Sequence, residues 1–136
     1  MTRRLLLAYQ LLTGGSDACT GVLLIFAPAF TLRLMGLHER TNTLPFLSFI
    51  GAFVLSVGIA CFYGAWLTAH TESAGRLAVV WLLTAITRAL VAMVVLRQII
   101  GGSLELRWCT VAISDGAITL VQAIGLWKGW LADGAH

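Results

Sequence analysis

Long apolar segments separated by short polar ones set the pattern of this chain. A helix that crosses a bilayer needs about 20 mostly apolar residues, and four segments reach that length. They run from Leu5 to about Phe30, from Pro45 to Leu67, from Leu77 to Leu96, and from Trp108 to about Trp127. Helices joined by short connections pack as antiparallel neighbours. The pattern therefore predicts an all-α fold, an up-down-up-down bundle of four transmembrane helices, forming one domain over residues 1–136.

The prolines and the N-terminal residues refine these boundaries. Pro28 is predicted to end or kink the first helix, because a proline inside a helix removes a hydrogen bond. Pro45 suits the first turn of the second helix. We expect Arg3-Arg4 to begin a retained span rather than a cleaved signal peptide, because the apolar run continues to Leu32. Tryptophans collect at membrane–water interfaces, and all five lie near predicted helix ends: Trp66, Trp81, Trp108, Trp127 and Trp130.

Composition supports the membrane assignment. Of the 136 residues, 59% are apolar and 11% are charged, and the mean hydropathy is +0.90. Soluble domains have roughly 45–50% apolar and about 25% charged residues. These figures exclude a disordered chain, a disulfide scaffold and an ordinary soluble domain, and they make the lipid bilayer the first expected partner. Nine basic residues are too few and too scattered for a nucleic-acid surface.

The residue types that carry most enzyme chemistry are sparse. The three cysteines form no CxxC pair, and the three histidines fall outside the apolar segments. The chain contains no GxSxG, no HExxH and no glycine-rich phosphate loop. We therefore predict no catalytic residue, no metal site and no cofactor, with quinone or lipid as the alternative ligand.

Three charged residues interrupt the predicted spans: Asp17, Arg88 and Asp115. A charge at that depth is expensive, at roughly 2.5–3.5 kcal/mol or more, so such residues usually face the bundle interior and pair. At 1.5 Å per residue, Asp17 and Arg88 lie about 16–18 Å from one membrane face, and Asp115 lies about 20 Å from it. We therefore expect an Asp-Arg-Asp cluster at one level of the membrane.

Polar residues on the same helix faces extend this cluster into a seam through three helices: Gln10, Thr13, Thr20, Thr84, Thr119 and Gln122. Two interpretations of the cluster stay open. It is either a buried ion pair that fixes which helices meet, or a binding or proton-handling site. Both predict that Asp17→Asn or Asp115→Asn is tolerated better than Arg88→Leu, because removal of the cation leaves two acids without a counter-charge.

Small residues on the second span predict close helix packing. Ala52, Ser56, Ala60 and Gly64 recur every four residues, and small side chains let another helix backbone approach within the membrane. The row serves either packing inside the bundle or contact with a second copy or a partner subunit. A second small pair, Gly51 and Gly58, is seven residues apart. All six phenylalanines lie between residues 26 and 62, so this side is rich in aromatic residues.

The chain resembles the small four-helix DoxX-like membrane proteins of bacteria. The similarity rests on the basic N-terminus, on Phe26-Ala27-Pro28 followed by Leu34-Met35-Gly36-Leu37, on Gly51 and Gly58, and on Glu105 before the fourth helix. It implies a four-helix architecture. Members of that group are of unknown function or look like membrane subunits attached to quinone or redox systems, so the resemblance implies no catalytic residue here.

These observations lead to three hypotheses of function. The first is a non-catalytic membrane subunit or homo-oligomeric module with the charged cluster in its core. The second is a small proton- or ion-coupled transporter or channel that uses the cluster, and the third is a quinone- or lipid-binding anchor of a redox enzyme. Arg3-Arg4 favours a cytoplasmic N-terminus, which with four spans places both termini on the cytoplasmic side of a bacterial inner membrane.

Overall fold

The computed structural model describes residues 1–37, 44–70 and 74–133. Within these ranges the regular structure is helical and contains no strand, which confirms the all-α prediction. The elements are α1 (Arg3–Phe26), α2 (Pro28–Leu34), α3 (Leu44–Ala69), α4 (Ala74–Ile100), a 3₁₀ turn (Leu106–Trp108), α5 (Cys109–Trp127) and α6 (Trp130–Asp133). Parts of two predicted connections, at positions 38–43 and 71–73, lie outside the described residues.

Three segments of the described chain are long and apolar enough to cross a membrane: Leu44–Ala69, Ala74–Ile100 and Leu106–Trp127. They correspond to the second, third and fourth predicted spans and indicate a membrane protein. The 24-residue α1 is not among them, because polar residues such as Gln10 and Asp17 lower its hydropathy. The first of the four crossings therefore stays a prediction.

The proline prediction at the end of the first span is confirmed, and it divides that span in two. α1 ends at Phe26, and Ala27 leaves the helical region with φ −142° and ψ 57°. Pro28 then occupies the first turn of α2. A backbone N–H at this position has no acceptor within the helix, so the N–H that proline lacks is not needed there. The predicted span from Leu5 to about Phe30 therefore consists of α1 and the first turn of α2.

The chain divides into two compact units. In the unit Arg4–Trp66, α1 and α3 run antiparallel with two glycines of each helix facing the other. A Cβ on Gly21 would lie 2.8 Å from the carbonyl oxygen of Gly51, and a Cβ on Gly58 would lie 3.0 Å from that of Gly14. The backbones therefore approach too closely for any side chain at these crossing points.

The seven-residue spacing within each glycine pair explains this close approach. Gly14 and Gly21 lie two turns apart on α1, as Gly51 and Gly58 do on α3, so each pair faces one partner along its length. Of the predicted four-residue row, Gly64 is buried and Ala60 is half-buried. The other two members of that row, Ala52 and Ser56, are exposed.

The second unit contains Met1–Arg3 and the chain from Leu67 onward. Here α4 and α5 pack antiparallel, and Trp81 is fully buried at their contact. A Cβ on Gly125 would lie 2.5 Å from the Trp81 ring, so the glycine of α5 provides the space that the indole fills. Trp81 is therefore a core residue of this unit, and its level in the membrane stays a prediction.

Arg3 binds the C-terminal end of α3 within this second unit. Its Nε donates to the carbonyl oxygen of Thr68 at 3.0 Å, and its Nη2 donates to that of Ala69. The last carbonyls of a helix lack partners in the helix, and a cation there also interacts favourably with the helix dipole. The contact therefore places the N-terminus beside the end of α3.

The glycine crossing predicts a position-dependent cost for one added methyl group. Gly21→Ala places a Cβ 2.6 Å from the backbone nitrogen of Leu55, so the helices must separate. We expect a loss of about 1–3 kcal/mol in the free energy of unfolding. Gly15→Ala is the matched control on the same helix, because nothing lies within 4 Å of its Cβ. Equal unfolding midpoints of the two variants in detergent would contradict the crossing.

Candidate functional site

An ion pair joins α4 and α5 inside their apolar spans. The Arg88 Nη1 donates to the Asp115 Oδ1 at 2.7 Å, and the two side chains are 5% and 17% exposed. Arg88 lies near the middle of Ala74–Ile100, and Asp115 lies two turns into α5. The structure therefore brings together two members of the predicted cluster.

Further hydrogen bonds follow the ion pair along the same contact. The Gln122 Nε2 donates to the Thr84 Oγ1 at 2.7 Å, and this hydroxyl donates to the carbonyl oxygen of Val80 at 2.8 Å. The Thr119 hydroxyl lies 3.5 Å from the carbonyl oxygen of Ala85, at the limit of a hydrogen bond. These three predicted residues thus belong to the same interface as the ion pair.

Helical periodicity explains why these side chains meet. On α5 the positions 115, 119 and 122 are separated by four and three residues, so they share one face. On α4 the positions 81, 84, 85 and 88 share a face in the same way, and all four are buried. Because the helices are antiparallel, the pairs form successive rungs, and we call this set the α4–α5 polar ladder: Thr84, Arg88, Asp115, Thr119 and Gln122.

The surroundings of the ladder are apolar. Many large hydrophobic side chains on the remaining faces are exposed, which is typical of helices that contact lipid rather than water. Examples on the two helices are Leu82, Leu83, Ile86, Ile113, Leu120 and Ile124. In such surroundings a charged or amide group must find its partners inside the protein.

The predicted polar residues of α1 belong to the Arg4–Trp66 unit. Gln10 is buried, and Thr13, Asp17 and Thr20 are half-buried. The Thr13 hydroxyl donates to the carbonyl oxygen of Tyr9 at 2.8 Å, within its own helix. Because Asp17 and the α4–α5 polar ladder lie in different units, the three-membered cluster stays a prediction.

Two contacts outside the α4–α5 polar ladder were not predicted from the sequence. The Trp81–Gly125 contact had a usable signal, because Gly125 follows Gln122 by three residues on the same face of α5. The bonds from Arg3 to the end of α3 had none, because they join positions 65 and 66 residues apart without a motif.

The described residues contain no group of three His, Cys, Asp or Glu side chains that could hold a metal ion. No disulfide joins Cys19, Cys61 and Cys109 in the described part of the chain. No family model, curated protein or solved structure matches the chain. The site is therefore interpreted from its own geometry, and the DoxX-like resemblance stays an expectation.

The ion pair predicts that loss of the cation is worse than neutralisation of the acid. Arg88→Leu leaves Asp115 buried without its counter-charge, and removal of one partner of a buried pair costs about 3–5 kcal/mol. Asp115→Asn keeps a carbonyl oxygen that can still accept from Arg88, and in the predicted cluster Asp17 remains as a counter-charge, so we expect a smaller loss. Unfolding midpoints in detergent measure both. A parent-like Arg88→Leu beside an unfolded Asp115→Asn would contradict the pair.

A third variant tests whether Asp17 belongs to the same cluster. Arg88→Leu/Asp115→Leu removes both charges, and we expect it to be more stable than Arg88→Leu alone. If Asp17 also faces Arg88, the double variant still contains one stranded acid. The further change Asp17→Asn should then raise the midpoint again. If it has the same effect in the parent as in the double variant, the three residues do not form one cluster.

Proposed function

We propose that this protein is a non-catalytic membrane module, acting as a subunit of a larger assembly or as a homo-oligomer. The observation that carries the proposal is the α4–α5 polar ladder. Arg88 donates to Asp115 and Gln122 donates to Thr84, so two polar contacts join these helices. Groups used in this way orient two helices and define their register.

The energetics of helix association favour this structural role. Lipid is as apolar as the helix surfaces, so hydrophobic burial does not drive helices together inside a bilayer. Close packing and polar contacts between helices supply the attraction instead. The glycine crossing of α1 with α3 provides close packing, and the α4–α5 polar ladder provides polar contacts.

Exposed small residues on α3 support association with another membrane protein. Ala52 and Ser56 are exposed, and the Ser56 hydroxyl donates to the carbonyl oxygen of Phe53 within the helix. A face with short side chains lets a second helix approach closely. We propose four crossings in a bacterial inner membrane with both termini in the cytoplasm; the four-helix architecture is the one that the DoxX-like resemblance implies.

A second candidate is proton- or ion-coupled transport through the predicted cluster. One observation favours it: the Asp115 side chain is 17% exposed, whereas that of its partner Arg88 is 5% exposed. A carboxylate with an accessible edge beside a fixed cation can exchange a proton or a cation where water reaches that edge. On this hypothesis, Asp17 would supply the second carboxylate.

Proteoliposomes separate the two candidates. The structural proposal expects the purified parent protein to move protons across vesicles loaded with a pH-sensitive dye no faster than empty vesicles. Flux in the parent that disappears in a folded Asp115→Asn variant would overturn the proposal and establish transport. Thr87→Val, which changes an exposed α4 hydroxyl, is the matched control and should behave as the parent does.

Native mass spectrometry from nanodiscs tests association. We expect a defined oligomer or a stoichiometric partner, and we expect Ser56→Leu to reduce that species at least fivefold because the added side chain holds the helices apart. Thr87→Leu adds similar bulk to an exposed position of α4 and should leave it unchanged. A monomer without a partner would contradict the proposal, and a monomer that retains bound quinone would favour the anchor hypothesis.

A further inference from the structure

Gln10 is a fully enclosed amide on α1. Its side chain is 1% exposed, which makes it one of the largest fully buried side chains among the described residues. Neither the Nε2 nor the Oε1 has a hydrogen-bond partner in the described part of the chain. A primary amide has two N–H donors and two acceptor lone pairs, so its whole capacity is unused.

The opposite helix makes room for this amide. A Cβ on Gly64 of α3 would lie 2.7 Å from the Gln10 Nε2, 3.0 Å from its Cδ and 3.1 Å from its Oε1. All three atoms at the end of the Gln10 side chain therefore lie against the bare backbone of α3. Gly64 thus accommodates a polar group in the contact between α1 and α3.

An unsatisfied amide in this position needs a physical explanation. Buried polar groups in proteins are almost always hydrogen-bonded, to protein atoms or to ordered water. In apolar surroundings the penalty for an unpaired amide is larger still. A leucine or methionine at position 10 would fill the same space without this penalty. A buried amide avoids the penalty only with a partner that both donates and accepts hydrogen bonds, and the enclosed position requires that partner to be small.

We propose that the Gln10 amide, which packs against Gly64 and has no partner of its own among the described residues, binds an internal water molecule between α1 and α3. The carbonyl oxygen and one N–H of a primary amide point to the same edge, so one water can accept from the N–H and donate to the oxygen. Buried waters typically make about three hydrogen bonds. The Gln10 amide would supply two of these bonds, one through its N–H and one through its carbonyl oxygen.

This inference does not depend on the proposed function. A hydrated Gln10 would lie on the α1 face that also presents Thr13, Asp17 and Thr20. At 1.5 Å per residue, Asp17 is about 10 Å farther along the helix. The proposed water site therefore lies on the same face of α1 as Asp17. This placement holds whether the α4–α5 polar ladder is structural or transports protons.

Side-chain amide NMR detects the water directly. The chain contains three glutamines, Gln10, Gln98 and Gln122, so protein labelled with side-chain ¹⁵N-glutamine in nanodiscs gives three NH₂ groups. Single Gln→Met variants assign them. We expect the Gln10 NH₂ to show a direct NOE to water. Its absence overturns the proposal, and this result needs no variant at the site.

Thermal unfolding of the Gln10→Met variant provides the second measurement. Methionine has a similar volume but does not replace the amide hydrogen bonds, so a hydrated site predicts a Tm lowered by about 3–6 °C. Leu12→Met changes an exposed residue of the same helix and should stay within about 1 °C of the parent. An equal or higher Tm for Gln10→Met, together with no water NOE at Gln10 in the parent, would mean that the amide is unsatisfied and dry, which overturns the proposal.

Discussion

Inside a bilayer no water solvates a buried charge, and this constraint shapes the pairing of α4 with α5. Arg88 is almost completely enclosed, so the guanidinium needs an anion within reach, and Asp115 provides one at 2.7 Å. Once that pair is fixed, the antiparallel register of the two helices is fixed with it. Thr84 then meets Gln122, and Trp81 meets Gly125 two turns from the charges. The polar and aromatic contacts of this hairpin are consequences of one electrostatic requirement.

The α1–α3 pair meets the same constraint in a different way. Its crossing depends on glycines that remove side chains, so the attraction comes from close backbone contact rather than charge. Dispersion between close-packed atoms is weak per contact but large in sum. Such a contact tolerates no added methyl group, whereas a polar ladder tolerates changes that preserve its partners. The chain therefore uses two kinds of helix contact with different sensitivities to substitution.

The sequence was sufficient for the parts of the fold that depend on composition and helical period. The three most apolar spans follow from the hydrophobic pattern, and Pro28 marked the helix break because its ring cannot continue a helix. The Arg88–Asp115 pair was accessible because charges are rare inside apolar spans and must find each other. The burial of Trp81 could not be predicted in the same way, because indoles occur both at interfaces and in cores. Its burial depends on Gly125, which lies 44 residues later.

Small residues show why the remaining contacts could not be chosen from the sequence. Two glycine- or alanine-rich rows on α3 had suitable spacings, one of four residues and one of seven, and either could face another helix. α1 selects the seven-residue row because its own Gly14 and Gly21 have the same spacing. Matching spacings on both partners, rather than small residues on one, is therefore the stronger signal. That rule leaves Ala52 and Ser56 on the exposed side of α3, where a second membrane helix with a four-residue row would fit.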